Sequence, residues 1–171
     1  MEDPIKNKVK ESGLININLE DFYPRGERVL FDIGTLFSEE GILREKEFRA
    51  RLQDVDWAKY ANKYVAVDCA AEAIVPLWAF MLVASHLESH ATQIVFGSLD
   101  TLEAVLSSDA LRNIKPEEYK DKRVVINGCG NVPLHPSAFV EITRLLKPFV
   151  KSLMFGEACS TVPVYKKKNG S

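Results

Sequence analysis

The chain has 171 residues, with 22 basic and 24 acidic side chains, a net charge of −2 and 46% hydrophobic residues. This is the size and composition of one soluble core, and the near-balanced charge gives no global field that would gather nucleic acid or an acidic membrane. The acidic start Met1-Glu2-Asp3-Pro4 lacks the apolar core of a signal peptide, and the longest apolar stretch, Ala73 to Ala84, falls short of the about 20 residues that span a bilayer. An odd number of cysteines without an export signal argues against a disulfide framework, so a cytoplasmic protein with reduced thiols is expected.

In chain order, Leu14-Ile15-Asn16-Ile17-Asn18-Leu19 alternates like a strand with one wetter face, and Pro24-Arg25-Gly26 supplies a turn before a second strand at Val29-Leu30-Phe31. Residues 14–33 therefore read as an antiparallel hairpin at a sheet edge. Ile42, Leu43, Phe48, Leu52 and Val55 approximate a helical stripe, with favourable Glu45–Arg49 and Glu47–Arg51 pairs on a solvated, mixed-charge face. The run at 64–68 is a strand, and Pro76 suits the first turn of a helix over 76–87. That helix is apolar almost all round, which makes it central or an oligomer contact, and the central reading is preferred. A strand at 94–97 precedes Asp100 and Glu103, spaced as a capping box. Strands at 123–127 and 152–156 flank a helix opened by Pro136. The lysines at 166–168 read as a solvated tail.

Sliding the chain on itself lays Tyr60 on Tyr119, Lys63 on Lys122, Val65 on Val124, Ala79-Phe80 on Ala138-Phe139, Leu87 on Leu146 and Phe96-Gly97 on Phe155-Gly156. Each copy reads strand, thiol-bearing loop, helix, strand. The expected fold is α/β, a mainly parallel sheet from two similar βαβ units flanked by helices. One domain spans 1–171, with an ordered core over 5–165 and a tail over 166–171.

The candidate chemistry lies in three thiols. Cys69, Cys129 and Cys159 each follow a strand run, so parallel neighbours would put them on the carboxyl edge of one sheet, where open α/β proteins bind ligands. A thiol just before a helix N-terminus is favoured as thiolate, the form that attacks electrophiles and binds soft metals. Together the three could hold zinc, iron or an iron–sulfur cluster, with a fourth ligand from Asp68, His135, Glu157 or water. Cys129 and Cys159 are expected to be the closest pair. Packing of unreactive cysteines is the plain alternative. Gly128 and Gly130 allow close backbone approach around Cys129, so Gly128, Gly130, Asn131 and Ser160 are candidate anion or ligand contacts. His135 could serve Cys129 as a base, or simply cap a helix. His86 and His90 share a helical face without metal partners, and Trp57 and Trp78 read as core or interface anchors.

Leu43-Arg44-Glu45-Lys46-Glu47-Phe48-Arg49, the stretch from Asp68-Cys69 to Met81, Asn127-Gly128-Cys129-Gly130, and Phe155 to Pro163 together resemble an uncharacterised Bacteroidetes family, a domain of unknown function. The resemblance runs from about Ile5 to Lys166 and brings no established activity. It implies a neighbourhood association with SUF iron–sulfur assembly genes, and hence iron–sulfur assembly proteins as partners. Three readings follow: a thiolate metal-binding or sulfur-relay accessory factor, a cysteine-dependent hydrolase or transferase using Cys129, and a non-catalytic adaptor. Neither nucleic acid nor membrane is expected as a partner, and a homo-oligomer is compatible with the sequence.

Overall fold

The computed structural model describes residues 13–38, 40–71, 73–128, 130, 132–157 and 160–168. The chain divides into two compact units, Arg25–Val105 and a discontinuous one made of Met1–Pro24 with Leu106–Ser171. Both are α/β.

In the contiguous unit, strands β2 (Arg28–Asp32), β3 (Tyr64–Asp68) and β4 (Gln93–Phe96) form an all-parallel sheet in the order β2-β3-β4. Val65, Ala66 and Val67 are all buried, which is why the central strand reads as a continuous apolar run. Helix α1 (Glu45–Gln53) contributes Phe48 and Leu52 to the core, and helix α2 (Leu77–Leu87) contributes Ala79, Val83 and Leu87. Contrary to the central reading, α2 leaves Leu77 and Met81 largely exposed. Trp57 stacks between Phe31 and His86, and Trp78 meets Phe48 edge-on, so both tryptophans are packing residues. Helix α3 (Leu99–Ala110) starts in this unit and runs into the other. Its cap is Ser98, whose hydroxyl accepts the Thr101 N–H. Asp100 and Glu103 are not its capping box, because Glu103 is committed to Arg28.

In the discontinuous unit, β1 (Leu14–Asn18), β5 (Arg123–Asn127), β6 (Ser152–Glu157) and β7 (Ser160–Lys166) form a sheet in the order β1-β5-β6-β7. The first three are parallel, and β7 returns antiparallel to β6. Helix α4 (Pro136–Leu146) buries Ala138, Ile142 and Leu146. On its outer face Arg144 grips Glu141 through two hydrogen bonds of 2.6 and 2.9 Å. That hydrogen bonding holds the Glu141 carboxyl below the usual carboxylate range.

The N-terminal hairpin is corrected: β1 pairs with β5 and β2 with β3, both in parallel and in different sheets. The two strands never need each other, because each is followed by its own capped 3-10 turn and becomes the outer strand of its own βαβ unit. Asn18 accepts the Glu20 N–H in the first turn, as Asp32 accepts the Gly34 N–H in the second. The hairpin lies instead at β6–β7. Its second strand continues through Lys166, and the Lys167 N–H donates to the Lys151 carbonyl.

The internal repeat is structural. The 3-10 turns Trp57–Tyr60 and Pro116–Tyr119, the strands β3 and β5 and the helices α2 and α4 correspond residue for residue, and β4 and β6 begin at equivalent positions, β6 running two residues further. Phe80–Phe96 and Phe139–Phe155 make the same edge-to-face contact. Asn62 and Asp121 share a left-handed φ near 60°, and each donates its N–H to the matching carbonyl, His90 or Phe149. Pro136 opens α4, while Pro76 is the residue just before α2. Gly97 and Gly156 also share a φ, +119° and +120°, that side chains rarely adopt. A β-carbon on Gly156 would stand 2.5 Å from the Ser160 carbonyl oxygen, whereas one on Gly97 would meet the movable Thr101 side chain at 3.0 Å. Gly156→Ala is therefore expected to cost about 2–3 kcal/mol, and Gly97→Ala measurably less, in paired urea unfolding curves. Equal losses would contradict the assignment of the difference to the backbone clash.

Candidate functional site

The carboxyl ends of the strands place polar groups at equivalent positions in both units. Asp32 and Asp68 end β2 and β3 as register partners. Asp32 Oδ1 accepts the N–H groups of Gly34 at 2.9 Å and Ala70 at 3.0 Å, tying the turn after β2 to the loop after β3. Asp68 Oδ1 accepts the Cys69 N–H at 2.8 Å. Cys69 is half-buried: its thiol lies 3.5 Å from the Ala71 carbonyl, and its inner side touches the core. Gly34 forms the adjoining wall, where a β-carbon would come within 3.6 Å of Cys69 Sγ. Cys69 therefore sits between an apolar floor and a rim of carboxylate and backbone groups. It does not abut a helix N-terminus, since α2 starts only at Leu77.

In the discontinuous unit Asn18 and Asn127 occupy the corresponding strand ends as register partners. Glu20, from the turn after β1, accepts the Gly130 N–H at 2.5 Å. The glycine pair was read as an anion contact, and at Gly130 the anion is the chain's own carboxylate. The Asn-x-Glu pattern of a capped turn was the available signal for Glu20, and it was missed because that segment read as hairpin. Gly128, at φ +154°, has Leu134 so close that a β-carbon would clash at 2.5 Å, so this position takes no side chain. His135 caps α4: its Nδ1 accepts the Ser137 N–H at 3.2 Å and lies 2.8 Å from the Ser137 hydroxyl. Ser160 is the exposed first residue of β7, paired with Glu157.

Cys129, Asn131 and Cys159 lie outside the described residues, so the Cys129–Cys159 and Cys129–His135 pairings do too. The shared sheet edge for all three thiols is corrected. Cys69 follows a strand of the β2-β3-β4 sheet, whereas Cys129 and Cys159 follow strands of the other. The repeat made the strands look like neighbours, but each copy closes a sheet with its own outer strand. Among the described residues no three His, Cys, Asp or Glu side chains are grouped to hold a metal ion.

Each unit also carries an apolar groove between its crossover helix and its last parallel strand. In the contiguous unit Val67, Phe80, Met81, Ala84, Ile94 and Phe96 line a space of about 320 Å³. The corresponding groove, about 280 Å³, is lined by Ile126, Phe139, Thr143, Leu153 and Phe155, with Val164 added from β7. The first groove lies beside an edge strand and the second beside a strand that β7 covers. No described helix is long and apolar enough to cross a membrane.

Fold and strand-end loops thus define a mixed α/β protein of two related βαβ units, one capped by an extra antiparallel strand. A family model described as a protein of unknown function, DUF2480, matches residues 3–167, and the chain belongs to that family. No curated protein and no solved structure matches it.

Proposed function

We propose that this protein is a cytoplasmic thiol-handling accessory factor. It would bind zinc, iron or a cluster through its cysteines, or relay sulfur, in support of iron–sulfur assembly, the association that the sequence resemblance implies. The observation that carries the reading is the setting of Cys69, a half-buried thiol at a sheet's carboxyl edge, among polar groups that leave it reachable. Thiols enclosed in apolar surroundings are inert, and Cys69 is only partly enclosed.

The sulfur version makes the smaller demand, since it needs one accessible thiolate to receive the cargo. The Cys69 thiolate attacks the terminal sulfur of a donor persulfide. A new S–S bond forms, the donor's S–S bond breaks, and the electron pair leaves on the donor thiolate, so no outside oxidant is required. A thiolate of the acceptor protein would then take that sulfur by the same exchange. In the metal version the Cys69 thiolate acts as a direct ligand.

Anaerobic exposure to inorganic polysulfide, followed by peptide mass mapping and metal analysis, tests both versions. Wild type is expected to gain one sulfur on the Cys69 peptide, or to retain metal in proportion to its thiols. Cys69→Ser should lose that sulfur or metal while its circular dichroism stays unchanged. Unmodified Cys69 together with no metal retained would sink the reading.

A further inference from the structure

We infer that β4 is the edge through which two copies of this chain pair, antiparallel and about a two-fold axis at Val95, into one continuous six-stranded sheet. This goes beyond the thiol reading and does not depend on it.

The internal repeat indicates what such an edge requires. Beside β6, the counterpart of β4, an antiparallel strand completes the sheet and places Val164 in the groove. Beside β4 the chain turns away at Gly97 into α3, and the equivalent lane has no strand of the described chain in it. The side chains around that lane are apolar and outward: Leu77 is 80% exposed, Met81 72% and Phe96 68%. Met81 and Phe96 line the same groove, and Leu77 lies one turn before Met81 on α2. A patch of this kind marks a contact surface.

The occupant is a second copy because the face is self-complementary. Neither β4 nor α2 contains an Asp, Glu, Lys or Arg, so a two-fold axis brings no like charges together. On α4 the positions equivalent to Leu82 and Ser85 hold the ion pair Glu141–Arg144. Edge protection differs in the same sense. The outer strand β7 carries Pro163, a register irregularity and a terminal lysine, devices that blunt an edge, whereas β4 has none of them.

Strand geometry limits the registers open to such a pair. The Gly97 N–H donates inward to the Val67 carbonyl, so by alternation the backbone groups of Ile94 and Phe96 face the open side. Antiparallel partners exchange both hydrogen bonds only where both residues face each other, and opposite residues share a sheet face. Both conditions are met with Ile94 of one copy opposite Phe96 of the other and Val95 opposite Val95. The two grooves then meet, each covering the other's Phe96 and Met81.

Sedimentation velocity on the full chain over a dilution series should give a dimer. Hydrogen exchange at the Ile94 and Phe96 amides should be slow in the dimer and accelerate on dilution, while the Gly97 amide does not respond. Met81→Lys with Phe96→Lys should weaken association roughly thirtyfold or more. Leu77→Lys, at a side chain too exposed to endanger folding, should weaken it in the same direction. Val140→Lys, the position in the other unit that matches Met81, should leave it unchanged. A monomer at every concentration overturns the inference, as does a dimer indifferent to Leu77→Lys or equally weakened by Val140→Lys.

Discussion

Truncating Phe48 to alanine is expected to destabilise the protein by about 3–5 kcal/mol, the usual cost of emptying a buried aromatic site. Helix α1, Glu-Lys-Glu-Phe-Arg-Ala-Arg-Leu-Gln, is short and mostly charged, so it has little stability of its own. Its attachment depends on Phe48 and Leu52, each 1% exposed, and Phe48 also meets Trp78 edge-on at 5.8 Å. The exposed Glu45–Arg49 bridge, 2.9 Å long, belongs to a class worth only tenths of a kcal/mol and cannot substitute. Urea unfolding should show a lower midpoint at unchanged slope, and hydrogen exchange should show α1 amides opening first. A loss below about 1 kcal/mol would mean that the helix is held by something other than its buried stripe.

The second large effect is expected at Arg28–Glu103, which joins β2 to α3. Their side chains are only 13% and 23% exposed, and Arg28 Nε lies 2.6 Å from Glu103 Oε1. The guanidinium also donates to the Gly26 carbonyl and lies over the Tyr64 ring. Removing one member leaves the other charge in a poorly hydrated place, so Glu103→Ala should cost about 2–4 kcal/mol. Replacing both, as Arg28→Met with Glu103→Leu, should recover most of that loss, since apolar pairs of similar volume often stand in for enclosed ion pairs. The loss should also change little with added salt, because a sheltered pair is weakly screened. If the double variant is no more stable than Glu103→Ala, the cost lies in lost packing and not in a stranded charge.

These residues also indicate where the sequence was legible. The strands were readable because, at Val65-Ala66-Val67 and Val124-Val125-Ile126, burial on both sides leaves an uninterrupted apolar run. The repeat was readable because the Phe80–Phe96 contact and its counterpart recur at fixed spacing. Glu103 looked like half of a capping box because spacing alone cannot show that Arg28 claims it. Sheet membership was hidden for a related reason: local pattern marks a strand but not its neighbour, so β1 and β2 looked like a hairpin. Strand β7 escaped notice because Pro163 interrupts it, as an edge strand tolerates. At the site, Cys69 could be placed at a strand end, but its carboxylate rim depends on the pairing of β2 with β3. Glu20 reaches Gly130 only through the long-range pairing of β1 with β5.

That last pairing bears on how the protein is made. Strand β1 is translated before the whole of the contiguous unit, yet Leu14 has to wait for Arg123 before it can join a sheet. The segment from Arg25 to Val105 can leave the ribosome with all its own strands, whereas Ile17 and Leu19 lack their partners until the residues from Leu111 onward emerge. Vectorial synthesis therefore favours the contiguous unit and leaves β1 and β5 to close over a span that makes closure slow and leaves the waiting strand open to mispairing. An unfinished chain would display an unmatched β1, a natural handle for the machinery that holds nascent polypeptides.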